Sequence, residues 1–236
     1  NPDSDNYEYL FGVSDSQYSK IAEWTNINKS KIYTISQDQD LEVPYAITVP
    51  DNQPGGAQHM MLSVKIIDES APKTNIQAET VFNLQVYANI DGDLKPASKV
   101  LSQNVNFFSF APIISAKSAV QNLGNANLAI KYNISIVNAF SGQVAYENTI
   151  EKDIIVDSTR VFSQDWTAAP QLGVFNVRQD IEYLNENGEP ATASVSKLAI
   201  ICPIWLIIII LIFIALIVLY FVSSHKKRNG SKINLG

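Results

Sequence analysis

Two histidines, a single cysteine and twenty-three carboxylates are the groups in this 236-residue chain that could do chemistry. General bases and zinc ligands are most often histidines. His59 precedes the run Met60–Val64 and, by the alternation of that run, projects from its wet face, while His225 follows a long apolar segment. With Cys202 as the one cysteine, no histidine or cysteine pair stands at a spacing suited to zinc. Two carboxylates could run glycoside hydrolysis, but among so many acids some pair falls together by chance, so the count selects nothing. Asp91-Gly92-Asp93 and Asn1 to Asn6 look superficially like calcium loops, yet lack the spaced ligands and closing glutamate of an EF-hand. A hairpin turn is the reading of both. No glycine loop precedes a soluble helix, so no phosphate cradle is expected. The expectation is a protein that is not an enzyme and has no catalytic, cofactor-binding or metal-ligating residues.

The elements that would carry any other function are clearer. Leu198 to Val222 is an unbroken run without a charged side chain. As a helix rising about 1.5 Å per residue it would be about 37 Å long, enough to cross a hydrocarbon core of about 30 Å with some tilt. Ile210 and Phe213 fall in its middle, where a charge would cost at least about 2.5 kcal/mol. Trp205 falls near one end, at the depth of an interfacial anchor. The predicted anchor is therefore 198–222, with Leu198, Trp205, Ile210, Phe213 and Val222 in contact with membrane lipid. The segment beyond it, 223–236, carries Lys226, Lys227 and Arg228 and no acid, which marks a cytoplasmic flank. The rival topology, a cytosolic bulk behind a tail anchor, would push that basic cluster across the bilayer.

Taking the tail's four bases, Lys226, Lys227, Arg228 and Lys232, from the seventeen leaves thirteen against twenty-three acids, so the portion ahead of the helix has a net charge of −10. Such a surface repels nucleic acid; its acidity serves solubility. The chain begins at Asn1 without a methionine, which suggests a secretory signal removed or left out of the numbering. A lone cysteine allows no intrachain disulfide, so the exterior portion must be held by its core, a habit more typical of bacterial exported domains. Asn28-Lys29-Ser30 and Asn133-Ile134-Ser135 are formal glycosylation acceptors, of consequence only in a eukaryote.

From residue 30 to residue 184 apolar and polar residues alternate in short runs separated by Pro, Gly, Asn and Asp. Leu128 to Ile136 is the clearest case, with Leu128, Ile130, Tyr132, Ile134 and Ile136 on one face and Ala129, Lys131, Asn133 and Ser135 on the other. The same period recurs from Val43 to Val49, Met60 to Ile66, Phe82 to Ile90 and Phe175 to Tyr183. Strands at such spacing with no helical stretches between them predict an all-β chain: two tandem immunoglobulin-like β-sandwiches followed by one transmembrane helix. The predicted division is 1–95 for the first sandwich, with further strands upstream of Asn1 conceivable, and 96–187 for the second. A polar linker at 188–197 follows, then the helix at 198–222 and the tail at 223–236. Trp24 and Trp166 are expected to cap sandwich ends.

The stretch Leu41-Glu42-Val43-Pro44-Tyr45-Ala46-Ile47-Thr48-Val49-Pro50, followed by Asp51, Asn52, Gln53, Pro54, Gly55 and Gly56, runs a strand into a proline-glycine-glycine turn. It resembles the first domain of the WxL-interacting protein family, in which two immunoglobulin-like domains precede a transmembrane helix and a short basic tail. Looser cues are Val120 to Asn125, Phe140 to Gln143, and Trp166 followed by Leu172 to Phe175. The resemblance implies a bacterial surface location, an outer domain associated with peptidoglycan and an inner one with a surface partner protein. The expected function is display of two binding modules for the cell wall or another surface protein. Asp51 to Gly56 is the candidate contact loop, although as a bare turn it needs no ligand. The alternatives are the ectodomain of a sensory or accessory subunit and, more remotely, a wall hydrolase.

Overall fold

A computed structural model of the chain describes residues 16–28, 32–36, 39–66 and 80–230. The expected turn at Asn1 to Asn6, part of the Asn28-Lys29-Ser30 acceptor and the end of the basic tail lie outside the described residues. The chain is all-β with one long C-terminal helix, as its alternating pattern predicts.

The first part opens with a one-turn helix α1 (Ile21–Trp24), which the sequence pattern does not reveal. Strands β1 (Thr25–Asn26) and β2 (Ala46–Ile47) pair with each other. The strand expected over Val43 to Val49 is thus reduced to two residues. A long antiparallel ribbon follows, β3 (Gly56–Ile66) with β4 (Thr80–Ile90), paired without a break from Gly56↔Ile90 to Ile66↔Thr80. Only one end of this ribbon is buried, where Ala57, Gln58 and Met60 lie under α1 and its Ile21. Val64, Phe82 and Leu84, farther along, are all more than half exposed.

The second part is a β-sandwich. Its strands are β5 (Ser98–Val105), β6 (Phe108–Ser109), β7 (Ile114–Asn122), β8 (Leu128–Asn138), β9 (Val144–Ile154), β10 (Thr159–Trp166), β11 (Gly173–Leu184) and β12 (Pro190–Ile201). One sheet has the order β10-β7-β5, the other β6-β12-β11-β8-β9. In β8 the alternation sends Leu128, Ile130, Tyr132, Ile134 and Ile136 inward, and the facing sheet supplies Ile114, Ala116, Val120 and Phe162. Tyr132 and Phe162 meet across the layer with ring centroids 5.7 Å apart. Each Leu, Ile, Val or Phe among them contributes about 1.5–3 kcal/mol on burial, and Cys202 is unpaired, so this core and not a disulfide holds the sandwich. Trp166 closes one end of the core, stacked on Tyr146 and edge-on to Phe175.

Two boundaries differ from the sequence reading. The linker expected at 188–197 is strand from Pro190 onward: all twelve residues of β12 pair with β11, from Pro190↔Leu184 to Ile201↔Gly173. The alternation is present in Ala191, Ala193 and Val195, which face inward, and Thr192, Ser194 and Ser196, which are exposed. Its inward members are small, so the hydrophobic contrast that marks a strand is weak, and the segment reads as a spacer. The helix α2 (Ile204–Gly230) consequently begins six residues later than expected. Leu198 belongs to β12. Pro203, which lacks a backbone N–H, sits just ahead of the helix, where no donor is needed.

Candidate functional site

Two regions carry the expected functional residues, and β-structure separates them. The first is α2. Its stretch Ile204–Val222 is 19 residues of mean hydropathy 3.4, with none of it buried against the rest of the protein. At about 1.5 Å per residue it extends about 28 Å, close to the thickness of a hydrocarbon core. It is the one helix among the described residues long and apolar enough to cross a membrane. Trp205 is its second residue, and Ile210, Phe213 and Val222 follow along it, all exposed. Lys226, Lys227 and Arg228 continue the same helix beyond the apolar stretch. Leu198 lies outside the helix, 47 % exposed on the last strand.

The second region is the proline-glycine-glycine turn, which lies where the two parts of the chain meet. The Asn125 side-chain amide donates to the carbonyl oxygens of Gly55 and Asp93, each at 2.9 Å. Its side-chain oxygen accepts from the backbone N–H of Lys95 at 2.6 Å, and its backbone oxygen accepts from that of Ala57 at 2.8 Å. Gly55 lies against Gly92 so closely that a Cβ on Gly55 would stand 2.6 Å from the Gly92 carbonyl carbon. Gly56, with φ +144°, adopts backbone that only glycine accepts readily. The turn therefore divides by role: Asp51, Asn52 and Pro54 are exposed and Gln53 is half-buried, while Gly55 and Gly56 are structural members of a backbone junction. Asn125 and Gly92, its partners, are missed by sequence reasoning. Their turn-forming neighbours are visible in Asn122-Leu123-Gly124-Asn125 and Asp91-Gly92-Asp93, but the contact between those turns and Gly55 is not.

His59 lies near this junction and is half-buried rather than on a wet face. Its backbone N–H donates to Tyr18 O at 2.9 Å. Burial pushes the imidazole below its ordinary pKa of 6.5, with Asp157 of the sandwich pulling weakly the other way.

Inside the sandwich, Gln179 is fully buried. Its Oε1 accepts from Ser118 Oγ at 2.7 Å and from Tyr132 Oη at 3.0 Å, and its amide donates to Asn104 O at 3.2 Å. Burial raises the Tyr132 phenol well above its usual value, which keeps it a neutral donor. Asp180, next along β11, is raised by burial but lowered more by its hydrogen bond from Ser194 and by Arg178, so it ends below the ordinary carboxylate range. These contacts are internally satisfied and hold strands together. Among the described residues no group of three or more His, Cys, Asp or Glu converges as a metal site would require.

No family model matches the chain, and no curated protein matches it significantly. Among solved structures, it is similar over 43 % of its length to β-glucuronidase 2 of Bacteroides uniformis, at 11 % identity and a TM-score of 0.30, and spans only 12 % of that enzyme. It is also similar to domains d3–d4 of the rat CD45 extracellular region, at 13 % identity and a TM-score of 0.20, covering 84 % of this chain and 85 % of that one. Likeness this slight carries no functional argument. Fold and site together define a class, an all-β chain with one helix of membrane-crossing length and composition.

Proposed function

We propose that the chain is a single-pass membrane protein that displays its β-structure outside the cytoplasm, where it binds an envelope polymer or another surface protein without catalysing a reaction. The observation that supports this best is α2 itself. A 19-residue apolar stretch with no protein packed on it would expose its side chains to water in any soluble state, at a cost of about 0.8 kcal/mol for each CH2 group that lipid would bury. Lys226, Lys227 and Arg228 favour the cytoplasm for the far end of the helix, which leaves the acidic β-structure on the other side. The exposed part of the ribbon, with Val64, Phe82 and Leu84, offers apolar surface and strand edges of the kind that partner strands pair with.

The test is protease added to intact cells expressing the full chain with a tag after Gly236. A protected tag fragment of helix size, together with retention in the carbonate-washed membrane, is expected. An undigested ectodomain, or release into the carbonate supernatant, would refute the topology. Incubation of the solubilised protein with purified wall material and with surface-protein extracts addresses binding, and liberated wall fragments would refute the non-catalytic reading.

A further inference from the structure

The end of the sandwich from which α2 departs differs in chemistry from the opposite end. Four segments converge there, as the strand pairing shows: Gly173 faces Ile201, Phe175 faces Asn138, Ile200 faces Phe108, and Trp166 faces Ile114. Backbone hydrogen bonds tie their loops together, Ala139 N–H to Val174 O, Ile200 N–H to Phe107 O and Cys202 N–H to Ser109 O. Residues 100–116, 132–146, 166–177 and 198–203 contain no Asp, Glu, Lys or Arg. At their tips stand Phe107, Phe108, Phe110, Phe140 and Leu172, between 40 and 84 % exposed. The other end holds the ion pairs Lys99–Glu186 at 2.9 Å and Lys95–Asp93 at 3.0 Å.

We propose that this uncharged, aromatic end of the sandwich is a lipid-contacting surface that rests in the headgroup layer around the point where α2 enters the bilayer. The proposal relies on the membrane reading of α2 and extends it from the helix to the folded domain. The covalent geometry commits the occupant to lipid. Ile201 is still paired in the sheet and Ile204 already begins the helix. Only Cys202 and Pro203 intervene, and Cys202 is itself tied to Ser109 through its backbone N–H, so two residue steps separate the sandwich from the helix, a reach of about 7 Å at about 3.5 Å per residue. The polar layer between hydrocarbon and water is itself about 5–8 Å deep on each side, so loops level with Ile201 cannot stand clear of it. Phe and Leu side chains of membrane-surface elements bury into the headgroup–acyl boundary, and exposed apolar clusters of this kind mark an interaction surface. Trp205, 53 % exposed on the first turn of α2, would sit at the same level.

The full chain, carrying Cys202→Ala, would be labelled with an environment-sensitive fluorophore at Phe140→Cys, Ile212→Cys or Asn187→Cys and placed in phosphatidylcholine vesicles with and without lipid brominated on the acyl chains. Blue-shifted emission quenched by bromine is expected at positions 140 and 212, and neither effect at 187, which lies at the charged end. Quenching at 212 with position 140 behaving like 187 would overturn the proposal while leaving the span intact. Absence of quenching at 212 would overturn the span, and the proposal with it. Energy transfer between labels at 140 on separate chains, without bromine quenching, would place a second copy on this surface and refute the lipid assignment.

Discussion

Ser118 and Gln179 join the two sheets of the sandwich, the serine hydroxyl donating to the glutamine side-chain oxygen at 2.7 Å in a fully buried setting. The same oxygen accepts from Tyr132. Replacing Gln179 by Leu keeps the volume and leaves both hydroxyls without their acceptor, at about 1–3 kcal/mol for each orphaned group. Gln179→Leu should therefore lower stability by about 3 kcal/mol in chemical denaturation, and Ser118→Ala by about 1 kcal/mol. Equal, negligible losses would show that the pair does not fasten the sheets.

The Gly55–Gly92 contact leaves no room for a methyl group between two backbones. Gly55→Ala should open the junction and cost about 1–3 kcal/mol through overpacking. Asn125→Ala should weaken the same place by deleting three hydrogen bonds. Both variants should become susceptible to limited proteolysis between residues 91 and 97 while β7 to β12 stay protected in hydrogen exchange. Pro54→Ala, at an exposed position, should change neither reading.

His59 gives the junction a pH dependence of definite sign. Its folded-state pKa lies below 6.5 because burial disfavours the imidazolium. As pH falls through the unfolded value, the unfolded chain takes up the proton first, so stability declines from there until the folded value is passed. Thermal midpoints should fall between neutral pH and about pH 5, and His59→Gln should flatten the decline over that window.

Ile210→Arg places a charge near the centre of the apolar stretch of α2. Membrane insertion should weaken by about 2.5–3.5 kcal/mol, measured as the share of protein released by carbonate. The same change at Leu198, on β12 and outside the helix, should leave insertion intact.

The amino-acid order alone determined much of this architecture. Where large apolar residues alternate with polar ones, as in Leu128 to Ile136, period two can only be a strand with one face buried, and the inward set is the one the fold buries. The apolar stretch of α2 is equally legible, because no water-facing or core helix needs so many consecutive aliphatic residues. Tertiary structure decided the rest. Small residues carry little hydrophobic signal, so the strand Pro190–Ile201 became visible only through its pairing with β11, and with it the short tether that brings the sandwich to the helix. Gly55, Gly92 and Asn125 are distant in sequence and meet only because backbone approach and hydrogen-bond geometry select them, properties that no local pattern encodes. The uncharged end of the sandwich is likewise assembled from four separate segments, each unremarkable alone, whose convergence is set by strand register.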